Sequence, residues 1–205
     1  MKKDDLLRSI ATAGYNAGFG AKLSFASYDM LRWLPNIIGF ASLAISVFAL
    51  VFEKLSTREV SAFMLVFSLL GFYLTSKEEH RSSLDLAGRK LTGIRDKLEA
   101  LYNKARDASG DLMPLSDELL ALTSEINVAA VSDQVIFSNW WAHHKFFMEA
   151  KVDWICDELQ LTFFKDKLPG SLKLLLGVLL LLTLVYFACC AVGLCWDLSV
   201  QQLRR

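Results

Sequence analysis

Charge disappears from the chain twice in quick succession. Residues 33–52 carry none and residues 60–76 carry none, while the short link 53–59 holds Glu53, Lys54, Arg58 and Glu59. A helix crossing a hydrocarbon core about 30 Å thick needs about 20 apolar residues, with about 17 as the lower bound. Backbone amides in lipid must be satisfied within their own segment, so the pattern predicts a helical hairpin with spans at about 34–52 and 60–76. A third uncharged run, residues 174–196, is also long enough to span with some tilt. Its presence weighs against a buried hairpin in a soluble protein.

The segments between these runs are periodic. Residues 4–33 read as an amphipathic helix in which Ala13, Ala17 and Ala21, and Gly14 with Gly18, recur every four positions. That spacing gathers small residues on one face, where a second backbone can approach closely. Pro35 falls where the first span would begin, in a first turn that tolerates proline. After the second span, Leu84, Ala87, Leu91, Ile94, Leu98, Leu101 and Ala105 follow a 3-4 repeat. This is the seam of a coiled coil in a helix expected over 77–106, reaching roughly 45 Å from the bilayer. A break at 107–114 precedes Ser116, Asp117 and Glu118, the composition of a helix start.

The return helix is expected to run from Ser116 to about Lys165. Leu119, Leu122, Ile126, Ala129, Ile136, Trp140, Phe147 and Trp154 continue the spacing, with Asp133 and His143 interrupting it. Its second half is aromatic, with Trp140, Trp141, Phe146, Phe147, Trp154, Phe163 and Phe164, and suits either a core or an interfacial belt. Pro169 precedes the third apolar run, so all three prolines fall at expected boundaries.

Inside the hairpin, small and weakly polar residues form stripes at helical spacing: Gly39, Ser42, Ser46 and Ala49, then Ser61, Ser68, Gly71 and Thr75. Such a stripe either packs helix against helix in lipid, the commoner use, or lines an assembled pore. Both readings place it against protein rather than lipid.

Composition narrows the chemistry. Hydrophobic residues make up 54% and charged residues 21%, so apolar positions are segregated into segments. Zero net charge argues against a broad basic surface for sequence-specific nucleic-acid binding. Cys156 stands alone, and Cys189, Cys190 and Cys195 lie in an apolar run, which is no disulfide framework. Those three fit as small packed residues, with palmitoylation the weaker alternative. No short apolar run with a small-residue cleavage site follows the first residues, so no removable signal peptide is expected. Residues 14–20 (GYNAGFG) look like a phosphate loop but lack the Gly-Lys-Ser/Thr ending and follow no predicted strand. His143 and His144 point about 100° apart on a helix, so they do not jointly hold one metal. Glu149 and Asp153 on the same helix supply no zinc spacing, and His80 beside Glu78 and Glu79 is not in HExxH order. No enzyme, cofactor or metal site is expected.

Several scattered segments resemble the SLATT family: residues 12–22 (TAGYNAGFGAK), 25–29 (FASYD), 39–44 (GFASLA), 88–91 (GRKL), 140–147 (WWAHHKFF) and 153–155 (DWI). The resemblance covers roughly residues 5–170. It implies a two-span module associated with nucleotidyltransferase (SMODS) and nucleotide-sensing (SLOG) partners in bacterial conflict systems. It also implies a membrane-perturbing, pore-forming effector, in some cases encoded with a defence-associated reverse transcriptase. The run at 174–196 exceeds the family's two-span core, and the family offers no catalytic residues to carry over.

The resulting expectation is an all-α integral membrane protein. It has a transmembrane hairpin and helical stalk (1–170), then a third C-terminal span and tail (171–205). It is expected to be a homo-oligomer in the bacterial inner membrane, working with a co-encoded reverse transcriptase or nucleotidyltransferase. The alternative is a non-pore anchor or scaffold that tethers such an enzyme.

Orientation follows from cations near the spans. Lys2, Lys3, Arg8, Lys22 and Arg32 precede the hairpin, and Lys77, Arg81, Arg89 and Lys90 follow it, against only Lys54 and Arg58 in the link. The stalk is therefore expected in the cytoplasm and the link outside. Three spans would put Arg204 and Arg205 outside, against the same rule. A reporter fused after Asp111 should read as cytoplasmic, and Leu55→Cys in a cysteine-free background should label from outside. External protease cutting near Asp111 in intact spheroplasts would reverse the assignment.

Overall fold

The computed structural model describes the chain except residues 1, 151, 163–165, 167–168 and 204–205, with side chains as far as Ala188. Phe163, Phe164, Lys165, Arg204, Arg205 and the side chains of Cys189, Cys190 and Cys195 therefore lie outside the described residues. Those described are all-helical, in two compact units, 1–161 and 162–205.

The first unit is built on α1 (Lys3–Val51), a single helix of 49 residues. At 1.5 Å per residue it is roughly 74 Å long, more than twice a hydrocarbon core. One helix therefore serves two environments. In its first half, Leu6, Ile10, Ala13, Gly14, Ala17, Gly18 and Ala21 are buried, while Arg8, Ser9, Thr12 and Asn16 face out. Beyond Ile38 nothing on α1 is buried, and the exposed residues become apolar, among them Phe40, Leu43, Phe48 and Leu50. Pro35 thus lies inside a helix, not at the start of one as its position in the sequence implied. It removes the donor that the Leu31 carbonyl would take. Packing outweighs that loss, because Leu31, Leu34 and Ile38, on both sides of the proline, share one cluster with Leu74 and Leu84.

The chain leaves α1 at Phe52, makes a 3-10 turn over Glu53–Leu55 and re-enters helix at α2 (Arg58–Ser76). Thr57 caps α2, its hydroxyl accepting from the Val60 N–H at 3.4 Å. After a second 3-10 turn, Glu78–His80, α3 (Arg81–Asp107) runs back along the first half of α1. Leu91, Ile94, Leu98 and Leu101 of the expected seam are buried against Leu6, Ile10, Ala13, Ala17 and Ala21. Leu122 and Ile126 of α4 (Met113–Ala129) close the same cluster. Leu84, at the start of the seam, belongs instead to the cluster around Leu31 and Leu74. The α3 seam is thus filled from within the chain.

Helix α4 starts one turn before Ser116, where Asp111 accepts from the Met113 N–H at 3.0 Å and Pro114 occupies the first turn. The long return helix expected from there does not form. The helix ends at Ala129, residues 130–137 form a loop, and α5 (Ser138–His144), a π turn (Lys145–Glu149) and α6 (Asp153–Leu159) follow. The reason lies in what the loop gains. Asp133, Gln134 and Val135 take ion-pair, hydrogen-bond and burial partners outside their own segment, which a straight helix would forgo.

Aromatic rings from this broken segment fill notches left by glycine. A Cβ on Gly14 would lie 2.5 Å from Cη2 of Trp154, and one on Gly18 would lie 2.9 Å from Cε2 of Phe146. The close approach expected at the small-residue face is therefore made there by rings. Phe25 enters the corresponding notch at Gly88 on α3. Tyr15, Phe19, Phe146 and Phe147 complete the cluster with stacked and edge-on contacts.

In the second unit, α7 (Gly170–Leu203) follows Pro169, whose carbonyl accepts from the N–H groups of Leu172 and Lys173. Its stretch Gly170–Ala188 is long and apolar enough to cross a membrane, and none of it is buried.

Gly93, also on α3, has open space where a Cβ would stand. Gly93→Ala should raise stability by about 0.5–1 kcal/mol through helix propensity alone. Gly14→Ala should lower it by about 1–3 kcal/mol, because the indole has to leave its notch. Thermal or denaturant unfolding of the solubilised protein reads both. Stabilisation by Gly14→Ala would mean that Trp154 does not occupy the notch.

Candidate functional site

The hairpin formed by the second half of α1 with α2 is the part of the first unit that its own bundle leaves uncovered. Leu34, Ile38, Leu70, Tyr73 and Leu74 pack at its base. Ile38 approaches Gly71, whose missing Cβ would lie 3.6 Å from Cγ2 of the isoleucine. Further along, Leu43, Leu50, Val51, Phe63, Leu65, Leu69 and Phe72 are exposed. Burying that much apolar surface in water-free surroundings is the ordinary use of two helices of this length. Both meet the length and composition of membrane spans, as does Gly170–Ala188.

The small-residue stripes fall mostly on surfaces that the first unit does not cover. Gly39, Ser46, Ser61, Ser68 and Thr75 are exposed, Ser42, Ala49 and Gly71 are half-buried, and Gly39 has open space around it. Four of their hydroxyls already have partners. Ser46 donates to the Ser42 carbonyl at 2.8 Å, Ser61 to Thr57 at 3.1 Å, Ser68 to Met64 at 2.9 Å and Thr75 to Gly71 at 3.0 Å. Each bond runs back one turn along the same helix, so the donor is satisfied with no second helix and no water. A face of this kind can meet lipid, protein or water.

Where the hairpin meets the bundle, polar contacts hold the 130–137 loop. Lys77, one residue past α2, donates to both Asp133 oxygens at 2.6 and 2.8 Å, with His80 Nε2 at 3.8 Å from the same carboxylate. The Ser27 hydroxyl donates to Gln134 Oε1 at 2.8 Å and accepts from the Val135 N–H at 3.3 Å. Lys145 pairs with Asp29 and lies 5.6 Å from the Trp141 ring, on which His144 stacks. Arg81 pairs with Glu78 and lies over Tyr28 at 5.9 Å. The junction was hidden in the sequence. Its one signal was Asp133, a carboxylate at an otherwise apolar position.

The histidines are dispersed. His143 sits edge-on to Phe19 at 4.7 Å, His144 lies against Trp141, and His80 belongs to the Lys77–Asp133 group. Among the described residues no three metal-ligating side chains converge. A cleft of ≈ 270 Å³ lies between α1, α3 and the π turn, lined by Lys22, Arg95, Phe146 and Glu149 among others. It is smaller than most ligand pockets, and it mixes both charge signs. Tyr102 donates to Glu158 at 2.7 Å, and burial, reinforced by that bond, pushes its hydroxyl up to about 12.

The mutual hydrogen bond raises Lys77 above the usual lysine range and holds Asp133 below the usual carboxylate range, partial burial opposing both shifts. A depressed acid contributes stability above its unfolded value and loses it as pH falls through its folded value. A raised base contributes below its unfolded value and loses it as pH rises through its folded value. The loop is therefore held most firmly between those limits. Both side chains are partly exposed, so the effect should be local. Asp133→Asn should speed amide exchange at 131–136 severalfold at neutral pH and abolish the further loosening expected of the unsubstituted protein in acid. Unchanged exchange in this variant would mean that the ion pair does not hold the loop.

A family model described as SMODS and SLOG-associating 2TM effector domain 6 matches residues 1–176. The match takes in α1 to α6 and ends near the start of α7. No curated protein and no solved structure matches the chain. With 176 of 205 residues matched, and with two helices able to span set against a helical bundle, the chain belongs to the SLATT family, membrane effectors of bacterial conflict systems associated with SMODS and SLOG partner enzymes.

Proposed function

We propose that this chain is a pore-forming effector of antiphage defence in the bacterial inner membrane. Copies assemble through their hairpins and permeabilise the membrane when a partner enzyme, a co-encoded reverse transcriptase or nucleotidyltransferase, signals infection. The observation that carries this reading is the exposed stripe of Gly39, Ser46, Ser61, Ser68 and Thr75, which the first unit does not use for its own packing. Small residues let helices of neighbouring copies approach closely in lipid. The α3 seam is occupied by α1 and α4, so it is not the surface left for assembly. The bundle faces the cytoplasm, where a partner enzyme can reach it, and the 53–59 link faces outward. The effector works by opening a path and performs no covalent chemistry.

A second reading, a non-pore anchor or scaffold, draws on the self-satisfied hydroxyls of the stripe. A surface whose donors are bonded within its own helix needs no water column beside it.

Accessibility separates the two. In a cysteine-free background Ser46→Cys nearly preserves size. Cells carrying the partner enzyme and its trigger should take up dye and lose membrane potential. A membrane-impermeant cationic thiol reagent should then block uptake through Ser46→Cys, because a wetted sulfur reaches its reactive thiolate form. Val47→Cys should be far less sensitive. Leakage untouched at Ser46 would move the path to Ser61, Ser68, Gly71 and Thr75 or to α7. No leakage with partner and trigger present would favour the scaffold.

A further inference from the structure

Beside the base of the hairpin, the 130–137 loop exposes two large apolar side chains in succession, Ile136 at 53% and Phe137 at 57%. They follow two residues that point inward. Val131 and Val135 pack with Leu31, Leu34 and Ile38 of α1, Leu70 and Leu74 of α2, and Leu84 of α3. Those partners bracket the places where the uncharged segments begin and end, at Trp33 and Ser76. The loop therefore sits level with the two ends of the hairpin. Trp33 and Trp141 are also exposed, and Trp140 lies edge-on to Phe137 at 5.5 Å. Lys77 and Lys145 stand in the same neighbourhood, each paired with a carboxylate.

The backbone is bent to present this pair. Phe137 is in the left-handed region, at φ 68°, which a bulky side chain rarely adopts. That conformation turns the chain directly into α5, where the Trp140 N–H bonds to the Phe137 carbonyl. Several of the loop's polar groups are meanwhile tied within the bundle. Gln134 Nε2 donates to the Val131 carbonyl at 2.6 Å, the Ser138 N–H to Val135 at 3.1 Å, and the Val135 N–H to Ser27. These bonds hold the segment in place beside the base of the hairpin. It is not helical, so it cannot enter the hydrocarbon core. Aromatic and apolar side chains at that level belong at the boundary of headgroups and acyl chains.

We infer that Ile136 and Phe137 form an interfacial wedge, seated among lipid headgroups on the bundle's side of the membrane, with Lys77–Asp133 and Ser27–Gln134 as its struts. The occupant is a lipid surface because the patch continues the lipid-facing surface of the hairpin. The inference rests on the hairpin being membrane-embedded, and the experiment measures that separately.

Single cysteines at 136 and 137, in a cysteine-free background, are spin-labelled in lipid nanodiscs. Collision with oxygen, which concentrates in lipid, is compared with collision with a polar nickel chelate. Leu43→Cys, at an exposed site midway along the first span, and Val128→Cys, at an exposed site on α4, are the references. The wedge predicts oxygen-to-nickel ratios at 136 and 137 several-fold above Val128 and below Leu43. Either position alone giving this result supports it, should one variant misfold. A ratio equal to that of Val128 at both positions overturns the wedge while the membrane reading stands. Protection from both reagents also overturns it, since a second copy or another protein would then cover the patch. A water-like ratio at Leu43 overturns the membrane reading and the wedge with it.

Discussion

One face of α1 organises the helical bundle of the first unit. Along its first half the side chains shrink to alanine and glycine every three or four residues, and α3, α5 and α6 settle into the resulting groove. Small residues contribute little burial themselves, and their effect lies in what they admit. The seam leucines of α3 reach the α1 backbone, while Phe146 and Trp154 lie over bare Cα positions that any methyl would obstruct. The same helix then continues past Pro35 into a second environment and keeps its hydrogen-bonded form while the polarity of its outer surface inverts. The bundle and the hairpin are thus two solvent regimes of one rod.

The sequence showed the hairpin, the seam and the third apolar run plainly, because each is a periodicity or an absence of charge sustained over many residues. Pro35 misled because a proline near a change in composition reads as a boundary, whereas contacts on both sides of it hold the helix together. The return helix misled for the opposite reason. Apolar residues from Ile126 to Trp154 keep a helical spacing, yet the polar partners of Asp133 and Gln134 lie far away in the chain, at Lys77 and Ser27. No local pattern encodes a partner more than fifty residues distant. Asp133 was visible as an interruption, and its meaning came only with Lys77 beside it.

The stripe residues were equally visible, and their environment was not. Spacing reports which residues share a face, but it does not report whether a hydroxyl is already bonded. Ser46, Ser61, Ser68 and Thr75 each close a bond to their own helix, which removes the energetic reason to choose between a protein neighbour and a lipid one.

That neutrality bears on reversibility. A polar stripe with free donors would bind a neighbouring copy strongly, because separation would strand its hydrogen bonds in hydrocarbon. Here separation would strand none of those four hydroxyls, and only shape and lipid displacement would hold two such faces together. Their association would follow the crowding of chains in the plane of the membrane, rising and falling with copy number and lateral confinement.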